Sequence, residues 1–463
     1  MSNIKKNLEP ANNFLNSYFP SRTSIAKEGD FDWSVAAAAV VRNLYRKQIN
    51  FTKLLKKFEG EASEKLSYAM AEFEMLCQEG FENTLDDPDL WPVLKDMYFH
   101  QDGIYEIAPE ASLFRLVSVK ASSPQQRLAD MFSSLMKGFH LKPGQIVTET
   151  NNFLEDQILK TLRSDDVLKS IVDSSKTLAK GVNEKPYLPF LSDIFNQDLV
   201  FLISQPKYFR EQIENLLRLY GYLYTAQLAL NIKSLEEPTA KPLYFILENE
   251  SASRERTDLQ VHGHRAVQKF LPCIFPYLTM SESLQEVDKA SNQHRKPLWE
   301  LVKSLIPEDA PKLKRYAYEF AQDRYEGSDF QFDHDQSIGD PKYWLDVLLK
   351  ESIDQFGKKK KRAAAGEKFI KTTEAELCST FVKSRGQVGK VLVMNQDYIS
   401  LLTNLAIGTE EKLRFSELIN EFQVRGIYFD KQSQKALIHF YERVGNVERM
   451  SDSGDAVYVR KTL

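Results

Sequence analysis

The chain is short of several things, and each shortage excludes something. Only three cysteines, Cys77, Cys273 and Cys378, occur in 463 residues, in neither disulfide-framework nor zinc-knuckle spacing. That usage fits a reducing, intracellular compartment. Long hydrophobic runs are missing too. The longest, Val35 to Val41, falls far short of the ~20 residues that cross a bilayer. No membrane passage is therefore expected. No apolar stretch follows the lysines of MSNIKKNLEP, which argues against a secretory leader. A cytoplasmic protein is the expectation.

Catalytic signatures are equally scarce. There is no G-x-x-x-x-G-K-[ST] loop to cradle phosphates. Gly386-Gln-Val-Gly389-Lys390 is too short for one, and lacks the hydroxyl that would hold magnesium. Glu410-Glu-Lys412 has the short spacing of a nuclease E-x-K but falls in a turn, and Asp89 has no such partner on a following strand. No serine elbow or H-E-x-x-H occurs. The seven histidines are scattered. His262-Gly-His264 and Asp333-His334-Asp335 are the densest candidate ligand sets, and both read as surface loops, because adjacent side chains rarely converge on one ion. The expectation is a chain without catalytic residues, metal or cofactor.

What the sequence does hold is a globular composition, with 42% hydrophobic and 27% charged residues. Its length allows two to four domains. Charge is uneven. From Lys358 to Leu463 there are 19 Lys and Arg against 13 Asp and Glu, while the rest of the chain carries 42 against 52. A basic tail on an acidic body would confine any polyanion contact to the tail.

The body reads as helices. Apolar residues three and four apart predict helices from Trp33, over 62–77, from Asp87 through Tyr98, from Pro124 through Phe139, over 152–180 and over 206–231. Further helices are expected from about Arg265, Pro297, Ala310 and Pro341. Residues 103–118 change period and could form a small hairpin, and Leu243-Tyr-Phe-Ile-Leu is the best strand candidate. The expected organisation is an N-terminal helical region over 1–150 and a central helical region over 151–357 with its short strand near 243–247. A basic linker over 358–367 and a C-terminal region over 368–463 complete it. The linker begins with five consecutive cations, Lys358, Lys359, Lys360, Lys361 and Arg362, which repel one another and stay solvated.

The C-terminal region is the most informative. After the apolar run Lys390–Met394, a helix is expected over 395–407, ended by Gly408. A strand-like piece follows at 412–415, then a helix capped at or near Ser416 and closed by Gly426. Asp430 caps a third helix, and alternating segments around Gly454 form a hairpin. That order is the order of a winged helix-turn-helix, and residues 386–463 are expected to fold alone. The third helix should bury Ala436, Leu437, Phe440, Tyr441 and Val444 and expose Lys431, Gln432, Lys435, Ile438, His439 and Glu442. Lysines near the start of a recognition helix meet phosphate, and Gln reads adenine. Glu442, and Asp452 and Asp455 at the hairpin tip, would repel it. DNA reading and protein docking both remain open for this module.

Five stretches carry a family resemblance: Leu402-Thr-Asn-Leu-Ala-Ile-Gly, Glu411-Lys-Leu-Arg-Phe, Arg425-Gly-Ile-Tyr-Phe-Asp, Phe440-Tyr-Glu-Arg-Val-Gly-Asn-Val-Glu-Arg-Met and Ser451-Asp-Ser-Gly-Asp-Ala. Together they resemble the C-terminal end of the DptG (DndG) family of DNA phosphorothioation-dependent restriction proteins. The resemblance implies a subunit of a bacterial defence complex acting on DNA that lacks the sulfur modification. Its implied partners are a DptF-like ATPase and a DptH-like helicase subunit. It carries no catalytic or DNA-reading residue onto a position of this chain.

The expectation is thus a mainly α fold, a multi-helical body with sparse short strands plus a C-terminal winged helix, serving as a non-catalytic restriction subunit. Its DNA-contact candidates are Lys358, Lys359, Lys360, Lys361, Arg362, Lys431, Gln432, Lys435 and His439. Contact with DNA should be nonspecific. The alternatives are a winged-helix transcriptional regulator whose helical body senses or dimerises, and a scaffold whose winged helix binds protein only.

Overall fold

The structure, a computed structural model, describes residues 4–10, 19–21, 31, 33–49, 62–82, 90–98, 123–142, 145, 156, 159–160, 172–174, 186–232, 234–286, 295–449 and 457–463. It is mainly helical, with few and short strands. The chain divides into two units. One comprises residues 31–182 and 195–217, the other residues 1–30, 183–194 and 218–463.

In the first unit, α1 (Trp33–Tyr45) is followed by β1 (Lys47–Ile49), α2 (Ala62–Glu82), α3 (Trp91–Tyr98), α4 (Ser123–Met136) and β2 (Val172–Ser174). The alanine- and valine-rich face of α1 lies against α4. Val40, Val41 and Leu44 on α1, and Leu128, Phe132 and Leu135 on α4, have no exposed surface. Asn43 is buried with them and donates to the Ser133 hydroxyl at 2.9 Å, so the polar group is satisfied inside the core. Helix α4 stops at Met136, before the expected Phe139, because Lys137 and Gly138 take the left-handed conformation (φ +53° and +70°). The helical reading of 152–180 fails at 172–174, which pair antiparallel with β1. The single apolar residue there, Val172, cannot fix a period, and a strand far earlier in the chain decides the conformation. The candidate hairpin at 103–118 and the start of the helix at Asp87 lie outside the described residues.

Two helices cross the division: α5 (Pro189–Ile203) and α6 (Pro206–Asn231). Each begins on a proline, whose missing N–H is no loss at a first helical position. The second unit continues with β3 (Leu243–Leu247), α7 (Thr257–Val261), α8 (His264–Leu284), α9 (Leu298–Lys303), α10 (Ala310–Arg324), α11 (Pro341–Asp354) and α12 (Ala363–Thr373). Phe275 of α8 packs on Phe356 and on Phe369 of α12, with ring centroids 5.6 and 5.5 Å apart. Residues 358–362 form turns after α11, Lys359 at φ +72°, and residue 363 already begins α12.

The last part of the chain supplies β4 (Val382–Ser384), β5 (Lys390–Met394), α13 (Gln396–Ile407), β6 (Lys412–Arg414), α14 (Phe415–Val424), β7 (Ile427–Phe429), α15 (Lys431–Arg443), β8 (Val447–Arg449) and β9 (Val457–Arg460). It builds two sheets. In the smaller, β9 runs antiparallel to both β6 and β8. In the larger, of order β4-β5-β3-β7, strand β3 is parallel to both β5 and β7. Phe245 stands opposite Leu392 on one side and Phe429 on the other. Strand β3 is buried on both faces, which explains its unbroken apolar run. Phe245 meets Tyr222 and Phe381. Ile246 packs with Leu259, Val391 and Val393.

Local chemistry sets the remaining boundaries. The Asn395 side chain accepts from the Tyr398 N–H, and Asp430 accepts from the Ser433 N–H, each capping the helix that follows its strand. Helix α14 starts at Phe415 rather than being capped by Ser416: the Glu417 carboxylate turns back to accept the Arg414 N–H at 3.0 Å. Gly426 follows α14 at φ +79°, and a Cβ there would lie 2.6 Å from the Gln227 amide nitrogen. Gln227 in turn bonds both backbone groups of Lys241 just before β3. On α15, Ser433, Leu437, Phe440 and Tyr441 are buried and Ala436 half-buried, whereas Val444 is exposed because the helix has ended before it. Ile438 is half-buried rather than fully on the open face.

The sheet order bears on autonomous folding. A fragment that starts at 386 loses both β3 and β4, so β5 and β7 are left without any of their partners in the larger sheet. Against the expectation from sequence, residues 386–463 alone should show no cooperative thermal transition by circular dichroism. In the full chain, Phe440→Ala should cost about 3–5 kcal/mol in urea denaturation. A cooperative transition of the fragment at the full-length Tm would contradict the first, and wild-type stability the second.

Candidate nucleic-acid interface

The nine candidate contact residues fall into two groups that different elements carry. The first is the turn after α11. Lys358, Lys359 and Lys361 are exposed. Lys360 reaches the Asp354 carboxylate at 3.0 Å, and that hydrogen bond raises its pKa above the usual lysine value. The Arg362 guanidinium donates to the Gln355 side-chain oxygen at 3.2 Å, and the Lys361 N–H donates to the Glu326 carboxylate. Two of the five cations are therefore already engaged by α11 and the residue after it. The side chains of Lys358, Lys359 and Lys361 make no ion pair among the described residues.

The second group lies on α15, which packs against β3, β7 and β8. Lys431, Gln432, Lys435 and His439 are all exposed. His439 is 3.3 Å from the Glu442 carboxylate, which also accepts from Arg449. The Arg449 hydrogen bond leads in holding Glu442 below the ordinary glutamate range. On the small sheet Glu448 lies between Lys412 and Arg460 and is held low by both, Lys412 first. The cations of that sheet face are thus largely neutralised in place. Arg414 lies over the Tyr458 ring and donates to its hydroxyl at 3.0 Å. Gly454, Asp452 and Asp455 lie outside the described residues.

Apart from Asp430, which the sequence marks as a helix cap, one buried charge network carries no signal in the sequence. Arg256, in the segment between β3 and α7, holds both oxygens of Asp430 in a fork at 2.7 and 2.6 Å. The same guanidinium donates to the Ser433 hydroxyl at 2.6 Å and to Glu250 and the Ser251 carbonyl at 3.2 Å. Ser433 also donates to Glu250 at 2.8 Å, and Glu250 accepts the Leu247 N–H. The side chains of Arg256 and Glu250 are 6% and 8% exposed, so this is a buried ion network rather than surface decoration. Burial alone would push the Asp430 pKa up. The hydrogen bonds from Arg256 and the Ser433 N–H outweigh that and hold it below the usual aspartate range. Asp430 thereby caps α15 and ties its first turn to the segment after β3.

The histidine sets are not surface loops alone. His264 is the first residue of α8 and only 1% exposed, 3.6 Å from Glu374, and burial lowers its pKa. His334 contacts Glu351 at 3.1 Å and the Phe332 ring. No group of three or more His, Cys, Asp or Glu side chains is arranged to hold a metal among the described residues. Among those residues no helix is long and apolar enough to cross a membrane. Compared with protein-family models and with curated protein sequences, the chain matches none.

The Arg256 network makes a pH-dependent expectation. Asp430 has a depressed folded pKa, so its contribution is present above the unfolded value near pH 4 and is lost as pH falls through the folded one. Arg256→Ala strands two buried carboxylates and should cost about 3–5 kcal/mol at pH 7. Measured by urea denaturation from pH 7 to pH 3, the difference from wild type should narrow on acidification. A pH-independent difference, or none, would contradict the pairing.

Proposed function

We propose that the chain is a non-catalytic, cytoplasmic subunit of a phosphorothioation-dependent DNA restriction complex, built around a C-terminal winged helix. The observation that carries the module is the order α13-β6-α14-α15-β8-β9 with its antiparallel β6-β9-β8 sheet. In a winged helix this sheet is the wing and α15 the recognition helix. The system assignment rests on the resemblance of residues 402–456 to the DptG family. Its partners are then a DptF-like ATPase and a DptH-like helicase subunit.

DNA contact in this reading is weak and nonspecific. Wing cations that would clamp phosphate are paired with Glu442 and Glu448, and the start of α15 is held against the segment after β3 by Arg256. That leaves Lys358, Lys359 and Lys361 as the main phosphate contacts, with Lys431 and Lys435 as a lesser set. The exposed Lys431, Gln432 and Lys435 are what favours the second reading, a transcriptional regulator.

The purified chain should neither hydrolyse ATP nor cut DNA. Turnover that a point mutation within the chain abolishes would overturn the non-catalytic assignment. It should co-purify with ATPase and helicase-like subunits, and its deletion should abolish restriction of unmodified DNA while leaving the modification intact. A host that still restricts without it would overturn the reading. Replacing Lys358, Lys359 and Lys361 by alanine should weaken binding to unrelated DNA sequences alike. The log K–log salt slope should fall by about 0.9 for each phosphate that is no longer neutralised. If Lys431→Ala and Lys435→Ala change sequence preference instead, the regulator reading replaces this one.

A further inference from the structure

Strands β5, β3 and β7 run parallel, so their carboxyl ends open on the same edge of the sheet. Strand β3 has β5 on one side and β7 on the other, and the chain runs from β3 through β4 to β5 on one side and then from β5 back past β3 to β7 on the other. Parallel sheets place their ligand crevices at the carboxyl edge beside such a reversal. A cavity of about 220 Å³ lies there, between α13 and α15.

Its floor is apolar and buried: Leu247, Met394, Ile399 and Phe440. An apolar cavity of about 150 Å³ accommodates a benzene ring, so this one has room for a planar heterocycle. The wall on α15 is the stripe Ala436, His439, Phe440 and Arg443, four positions at helical spacing. Arg443 is exposed and makes no ion pair among the described residues. Facing that wall are Glu248 and Asn249, whose side-chain oxygens accept hydrogen bonds. The first turns of α13 and α15 are already capped by Asn395 and Asp430. Of the side chains lining the crevice, Arg443 and His439 are the ones able to meet an anion. The nearby Glu442 is offset by Arg449.

We propose that this crevice binds a nucleoside monophosphate. Its base lies on the floor with ring N–H groups toward Glu248 and Asn249, and its phosphate lies at Arg443 and His439. An apolar slot explains the base, opposed acceptors explain a ring that carries donors, and an unpaired arginine explains the phosphate. The site stands independently of the restriction reading, because it uses no partner and no duplex.

Isothermal titration of the full-length chain with AMP, GMP, CMP and UMP, beside ribose 5-phosphate and inorganic phosphate, tests it. At least one nucleotide should bind at millimolar concentration or below, and ribose 5-phosphate at least about tenfold more weakly, since it lacks the ring that fills the slot. Arg443→Gln, at an exposed position, should weaken the nucleotide about tenfold while leaving Tm unchanged. Ala436→Leu, which narrows the wall, should also weaken it. Glu248→Gln should change the order of preference among the four bases. Absence of binding by all four nucleotides overturns the proposal. So does equal binding of ribose 5-phosphate, or a nucleotide affinity indifferent to Arg443→Gln.

Discussion

Strand β3 is the constraint on which the C-terminal half depends. It pairs with β5 through Phe245, Ile246 and Leu247 and with β7 through Leu243, Tyr244 and Phe245. Neither neighbour touches the other in the sheet. Removing β3 would expose the edges of both and open the hydrophobic contacts around Tyr222 and Phe381. Gln227 and Gly426 fix its entry, since the amide of the first bonds Lys241 and the missing side chain of the second makes room for that amide. Arg256 fixes its exit by gripping Asp430. Helix α15 is thus positioned by residues far upstream as well as by its immediate neighbours.

This arrangement has a functional consequence. A free reader module presents the start of its third helix to a groove without obstruction. Here the segment from Glu250 to Arg256 lies beside that start, and the cations of the small sheet are spent on Glu442 and Glu448. Both features weaken a specific DNA reading and favour a subunit whose module docks within an assembly. In the proposed reading, the charge surplus of the tail would act chiefly through the exposed lysines of the turn that opens at Lys358.

The sequence made the helices legible because their spacing is local. The 206–231 helix, the strand at 243–247 and the cap at Asp430 are readable from residues within a few positions, whereas Asn395, read as the first residue of its helix, is the cap before it. It did not reveal what is held by distance. Nothing near Leu243 indicates that its partners are residues 390–394 and 427–429, and nothing near Arg256 indicates Asp430. Strand 172–174 was missed for the same reason, its partner being β1. Wheel arithmetic placed Val444 inside because it assumed that α15 continued, whereas the helix ends at Arg443. Of the contact residues, exposure of the lysines could be read from their pattern. The engagement of Lys360 by Asp354 could not, because it depends on how α11 ends.

Native-state hydrogen exchange on the full chain tests the central claim most directly, since amides in one cooperative unit open with one free energy. The amides of Phe245 and Leu247, of Leu392 and Met394 in β5, of Phe429 in β7 and of Leu437 and Phe440 in α15 should share a single opening free energy. That energy should rise and fall together for all of them with denaturant. Exchange of Phe245 and Leu247 at a markedly lower free energy than Leu437 and Phe440 would contradict it. The C-terminal module would then be a separate domain, free to act as a reader by itself.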